Sequence, residues 1–238
     1  NRIEGMNYLS GNVDEDANKI LELTNPKKEQ NKEEVIVIGT YPNLKSRVQL
    51  TKDTIESMKI LGRKIILISH YPVDVEIQRM VDYYIFDAYN PLTHHSYYTK
   101  FYRHTNEFHV DVNINGLKHS NQSLTVLVNL FTATKFAKDL GYKRFFYTTY
   151  DVILNELDAP TIEASFENVS NTNTAYLGSL KTPFGRGIQT NGMTFDVDFF
   201  LNLFDDVRTS DDYNRVCHNI GAQNFLEDYL VKKINTRI

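Results

Sequence analysis

The chain has no tryptophan and a single cysteine, Cys217, in 238 residues. One thiol excludes an internal disulfide, and without companion thiols it excludes a cysteine-based structural zinc site; it fits a reducing compartment. No apolar run approaches the roughly 20 residues that span a bilayer. The opening NRIEGMNYLSG has neither a basic n-region nor an apolar h-region, so no signal peptide is expected there. The chain begins without methionine, as a piece of a longer protein would. Basic clusters are also missing. With 26 Lys and Arg against 30 Asp and Glu, a net charge of −4 and a pI near 6.0, the protein carries no electrostatic footprint for nucleic acid or an anionic membrane. Any phosphate must therefore be held locally. A cytoplasmic protein is the expectation.

What is present is an ordinary globular composition, 41% hydrophobic and 24% charged, rich in tyrosine (15) and phenylalanine (14). That length supports one substantial α/β domain. Residues 1–33 read as a peripheral lead ending in the charge-dense NPKKEQNKEE, and the domain is expected over 34–238. It opens with the β-branched run Glu34 to Thr40, the pattern of a strand covered on both faces. A helix over Ser46 to Leu61, closed by Gly62, leads to a second buried strand, Lys64 to His70. A short helix over Val75 to Val81 and a third strand, Tyr83 to Asp87, follow. This rhythm predicts βαβ units and a mainly parallel sheet flanked by helices. Asn90 to Asn115 alternates polar and aromatic residues, as a hairpin or an excursion over the sheet edge would. Its four histidines, His94, His95, His104 and His109, lack metal-ligand spacing and read as solvated or hydrogen-bonded.

A long, largely buried helix over Gln122 to Leu140 then delivers the chain into Tyr142 to Asp158. Phe145-Phe146-Tyr147 reads as a buried strand, followed by Thr148, Thr149, Tyr150 and Asp151. A carboxylate at the carboxyl end of such a strand is placed for chemistry as well as for capping a turn. Beyond Asp158, two further strands are expected over Thr161 to Asn168 and Ala175 to Lys181. Three closing helices follow: one after Asp196, one from Asp211-Asp212, and one over Ala222 to Ile234.

The order VIVIGTYPN, IILISHYP, YYIFD, a long helix, then LGYKRFFYTTYDV and a mixed C-terminal half resembles a nucleotide-sugar-dependent glycosyltransferase of the GT-A fold, over about residues 34–232. The resemblance implies a Rossmann-like, mainly parallel mixed sheet. In that family an acidic motif binds Mn²⁺ or Mg²⁺ bridged to the donor diphosphate. Asp151 matches its last acid, and Thr149 stands where the first should be. A metal-free variant therefore stays open, with cations or helix N-termini holding the diphosphate. The resemblance further implies donor contacts by Thr40, Tyr41, Asn43, His70 and Asp87, with Gly192 letting backbone approach the donor sugar. In an inverting enzyme Asp212, of Asp211-Asp212, would be the general base; Glu227-Asp228 is a second candidate that a helix's polar face also explains. The implied partners are a nucleotide-sugar donor and a glycan or other hydroxyl acceptor, as in polysaccharide biosynthesis. Two other readings stand beside it: a non-catalytic nucleotide-sugar or glycan-binding module with a decayed motif, and a sugar nucleotidyltransferase, for which Lys45 and Arg47 are a thin phosphate-gripping loop.

Overall fold

The computed structural model describes residues 33–87, 111–114, 117–176, 179–182, 185–188, 191–207, 210–221 and 226–237. These lie in the second of two units into which the chain divides, Lys32–Ile238. The lead 1–32 and the four histidines of 94–109 lie outside the described residues.

The elements alternate as the sequence predicts through the first half. Strand β1 (Glu34–Thr40) is followed by α1 (Lys45–Met58), a 3-10 turn (Lys59–Leu61), β2 (Lys64–Ser69), α2 (Val75–Gln78) and β3 (Tyr83–Phe86). The turn into β2 needs Gly62, which sits at φ 62°, where a side chain would be strained. A small antiparallel pair, β4 (Asp111–Ile114) with β5 (Leu117–Ser120), precedes α3 (Asn121–Asp139) and β6 (Arg144–Thr149). The remainder is α4 (Ala159–Thr172), β7 (Thr174–Tyr176), the hairpin β8 (Ser179–Thr182) and β9 (Gly185–Ile188), β10 (Met193–Asp196), α5 (Val197–Leu203), α6 (Ser210–Asn219) and α7 (Leu226–Arg237).

Among the described residues, six strands form one sheet in the order β3-β2-β1-β6-β10-β7. β3, β2, β1 and β6 are parallel, and β10 runs antiparallel to β6 and β7. This is a Rossmann-like, mainly parallel mixed α/β sheet flanked by helices. Its side chains alternate faces with period two. Val35, Val37, Ile66, Ile68, Phe145, Tyr147, Met193 and Phe195 pack beneath α3, α5, α6 and α7. Ile36, Ile38, Ile65, Leu67 and Phe146 pack beneath α1, α2 and α4. Among the described residues, no helix is long and apolar enough to cross a membrane.

The second half corrects the sequence reading. The strand expected over 161–168 is instead helix α4: Pro160 occupies its first turn, and Ile162, Phe166 and Val169 recur at helical spacing on one buried face. The strand expected over 175–181 is divided. β7 joins the main sheet at its edge, whereas Ser179–Thr182 pairs with Gly185–Ile188 in a separate hairpin. The last helix is described from Leu226, with 222–225 outside the described residues.

The amino ends of the central strands are clamped by charge. Arg63 donates to Glu34 Oε2 at 2.6 and 2.8 Å and to both oxygens of Glu163 at 2.6 and 2.7 Å, while its guanidinium lies 4.5 Å from the Phe166 ring centre. Arg144 adds a second contact to Glu34 at 3.0 Å. The Arg63 and Glu34 side chains are only 7% and 5% exposed. Burial opposes the Arg63 charge, and the two carboxylates outweigh it. Replacing Arg63 by Met should cost about 3 kcal/mol in urea unfolding, because Glu34 loses its main partner in a low-dielectric site. Lys143→Met, which breaks the exposed pair with Glu33, should cost far less, because solvent screens an exposed pair. Equal costs would show that the clamp is no stronger than a surface pair.

Candidate functional site

Strand order alone marks where a ligand should sit. From β1 the chain steps outward through β2 to β3, then returns to place β6 on the other side of β1. That reversal leaves a crevice outside the carboxyl ends of β1 and β6, where open α/β sheets bind ligands. Register brings the expected residues to this edge. Thr40 pairs with Ser69, Ser69 with Phe86, and Gly39 with Thr149. The residues that follow continue the alignment: Asp87 N donates to Ser69 O at 2.8 Å and Tyr150 N to Gly39 O at 3.1 Å. Thr40, His70, Asp87 and Asp151 therefore share one edge. Gly192 joins them, because β10 starts there against β6; Thr148 Oγ1 donates to the neighbouring Asn191 carbonyl at 3.1 Å.

Their local partners differ. Thr51 Oγ1 gives its proton to the Arg47 carbonyl, so the Thr40 hydroxyl donates to Thr51 Oγ1 at 2.7 Å and is turned into α1. Tyr41 is buried and stacks on His70, ring centres 4.7 Å apart at 23°, with Tyr71 edge-on to Tyr41 at 4.8 Å. Asn43 accepts from Arg47 Nη1 at 2.7 Å. The Arg47 guanidinium lies 5.4 Å from the Tyr41 ring centre and 5.9 Å from that of Tyr150, and hydrogen-bonds the Tyr150 side chain. Asp87 accepts a long contact from Thr132 Oγ1, 3.5 Å. Asp151 is exposed, and its Oδ1 accepts from Thr149 Oγ1 at 2.6 Å.

Asp212 comes from elsewhere, the first turn of α6, where it accepts from Arg215 at 2.8 Å on its own helix. A different carboxylate shares the electrostatics of the edge. The Tyr147 phenol, whose oxygen would lie 2.6 Å from a Cβ at Gly39, is pushed up by burial first and then by Asp151 and Glu227. The polar-face reading of Glu227-Asp228 needs correction, since Asp228 is buried while Glu227 is half-buried. Tyr71 and Tyr150 carried no sequence signal as site residues beyond position, just after strand ends, and Arg47 entered only through the thin phosphate-gripping loop of the nucleotidyltransferase reading. Cys217 is buried in the core beside α6, and burial pushes its thiol up to about 12, so it supplies no thiolate near neutral pH.

The donor set at this edge suits a divalent ion poorly. Asp151 is one carboxylate already accepting a hydroxyl proton, and no group of three or more His, Cys, Asp or Glu that could hold a metal occurs among the described residues.

No protein-family model matches the chain, and neither does any curated protein. Among solved structures the chain is similar to a provisionally named nucleotide-diphospho-sugar transferase from Desulfovibrio desulfuricans G20. The identity is 13% and the TM-score 0.39, over 79% of this chain and 75% of that one. The site's own geometry carries its chemistry.

His70 gives that geometry a titratable marker. It is 4% exposed, and neither ring nitrogen has a hydrogen-bond partner. Burial pushes its pKa down to about 4. The unfolded imidazole takes up a proton below its ordinary 6.5 while the folded one waits until about 4, so stability is complete above that window and lost as pH falls through it. His70 alone should remove roughly 3 kcal/mol between those limits. Unfolding free energies measured against pH should give a flatter profile for His70→Gln than for the parent; parallel profiles would show that His70 is charged when folded.

Proposed function

We propose that the protein is a glycosyltransferase that moves a sugar from a nucleoside-diphosphate donor to a glycan or other hydroxyl acceptor. The observation that carries this reading is the aromatic and cationic cluster of Tyr41, His70, Tyr71, Arg47 and Tyr150 at the crevice between the carboxyl ends of β1 and β6. Flat rings there suit a nucleobase. Asn43 and Asp87 supply polar groups around it, whereas the Thr40 hydroxyl expected there is turned into α1, and Gly192 would let backbone approach the sugar. In the proposed reaction the acceptor oxygen bonds the anomeric carbon as the bond to the diphosphate breaks. The electron pair leaves on the diphosphate oxygen, and the acceptor proton passes to a carboxylate. We assign that base to Asp212, with Glu227 as the alternative that shares an electrostatic environment with Asp151. A cytoplasmic place in polysaccharide synthesis belongs to the same proposal.

One observation favours a second reading, a non-catalytic nucleotide-sugar or glycan-binding module: Thr149 leaves Asp151 without the second acid of the motif.

A thermal-shift screen against UDP, GDP, CDP and dTDP sugars, with and without Mn²⁺, separates these readings. One nucleotide should raise the melting temperature by about 5 °C or more at a hundredfold excess over Kd, because ligand bound only to the folded state stabilises it by mass action. Slow donor hydrolysis that Asp212→Asn abolishes without changing the shift would support the enzyme. A shift with no turnover on any acceptor supports the nucleotide-sugar-binding module, and no shift with any donor rejects the enzyme and leaves glycan binding as the non-catalytic reading.

A further inference from the structure

We propose that Arg47 binds the donor's diphosphate and supplies the positive charge that a protein-chelated divalent ion would otherwise bring. The inference rests on the donor reading above and concerns how the same site meets the leaving group.

Two observations meet here. The first is the poor fit of a metal: Asp151 is engaged by Thr149, which stands where the motif's other acid would be, and no three-group cluster of metal-ligating side chains occurs among the described residues. Mg²⁺ can be held by one or two carboxylates with substrate phosphates, so the mismatch alone leaves the source of charge open. The second is where the guanidinium lies. Arg47 is half-buried in the first turn of α1, and its side chain spans the ends of adjacent strands, with Tyr41 after β1 on one side and Tyr150 after β6 on the other. Asn43 Oδ1 orients it at 2.7 Å. The next residue after Tyr150 is Asp151, so the cation stands at the strand end where the resemblance puts the diphosphate.

The chemistry suits the placement. A guanidinium is planar, permanently charged and matches two phosphate oxygens as a fork, and partial removal from water strengthens its attraction to an anion. It keeps its proton throughout the transfer. As the bond from the anomeric carbon to the diphosphate oxygen breaks, the charge that accumulates on that oxygen falls beside a fixed cation. His70 adds an independent sign of an unfilled polar demand at the same crevice: it is nine-tenths buried, stacked on Tyr41, and has both ring nitrogens without partners.

The test is calorimetric titration of UDP, GDP, CDP and dTDP, and of the matching nucleosides, into the full chain in EDTA, with Arg47→Met, Arg47→Lys, Asn43→Ala and Asp151→Asn alongside. The recognised diphosphate should bind the parent in EDTA, and Arg47→Met should weaken it about 10- to 100-fold, the range for loss of a charge-assisted hydrogen-bond pair. Arg47→Lys should recover part of that loss, while the nucleoside and Asp151→Asn should each change by less than about threefold. A purely structural role for Arg47 would weaken nucleoside and diphosphate alike and so overturns the proposal. Should Arg47→Met fail to fold, Arg47→Lys and Asn43→Ala carry the same comparison. Binding that requires Mn²⁺ or Mg²⁺ and is lost in Asp151→Asn overturns the role of Arg47 and leaves the transferase reading standing. Metal-independent binding that ignores Arg47→Met does the same. No binding of any nucleotide, with or without Mn²⁺, overturns both.

Discussion

The burial of β1 is the constraint on which the rest depends. Every residue from Glu34 to Thr40 is buried, with β2 and β6 hydrogen-bonded on either side and helices over both faces. A strand so enclosed can present polar groups only at its two ends, since an unpaired polar group along its length would cost the full desolvation penalty. The two ends have opposite characters. At the amino end Glu34 is matched by Arg63 and Arg144 in a closed network. At the carboxyl end the polar side chains stand around a crevice.

That crevice has an unusual balance of charge for a site that would receive a diphosphate. Asp151, the carboxylate after β6, is exposed, whereas Arg47 is half-buried, oriented by Asn43 and flanked by two tyrosine rings. Close packing sets this arrangement. Gly39 admits the Tyr147 ring, because a Cβ there would come within 2.6 Å of the phenol oxygen. Thr54 holds the Tyr150 carbonyl at 2.7 Å, tying the loop after β6 to α1 and so to Arg47. The same loop leaves Leu157 85% exposed, an apolar side chain that nothing in the structure explains.

The first half of the chain was legible because its signals are local and agree with one another. Unbroken β-branched runs read as enclosed strands, and Gly62 marks a helix end by the left-handed backbone it alone adopts easily. The carboxyl-edge alignment of Thr40, His70, Asp87 and Asp151 followed from parallel strands alone. The second half was harder. Thr161, Ile162 and Val169 carry β-branched side chains that favour strands, yet the Ile162, Phe166, Val169 spacing meets the sheet as a helix, and tertiary packing overrides propensity. β10 gave no strand signal, and Gly192 before it stood out only for close backbone approach, because four residues give period-two alternation too little length to register. Asp228 on α7 fits the polar face of an amphipathic helix by sequence and is buried.

The sequence by itself determined the α/β class, the parallel core strands and the identity of the residues at their carboxyl ends, because strand and helix periodicity are properties of neighbouring residues. Only the tertiary structure decided which strands are adjacent, and so where the crevice lies. It also decided that Arg47 bridges Tyr41 and Tyr150, that His70 is buried without partners, and that Glu227 acts on the same phenol as Asp151. Those relations join residues about 100 or more positions apart in places, and burial and electrostatics act through space, where spacing along the chain carries no record of them.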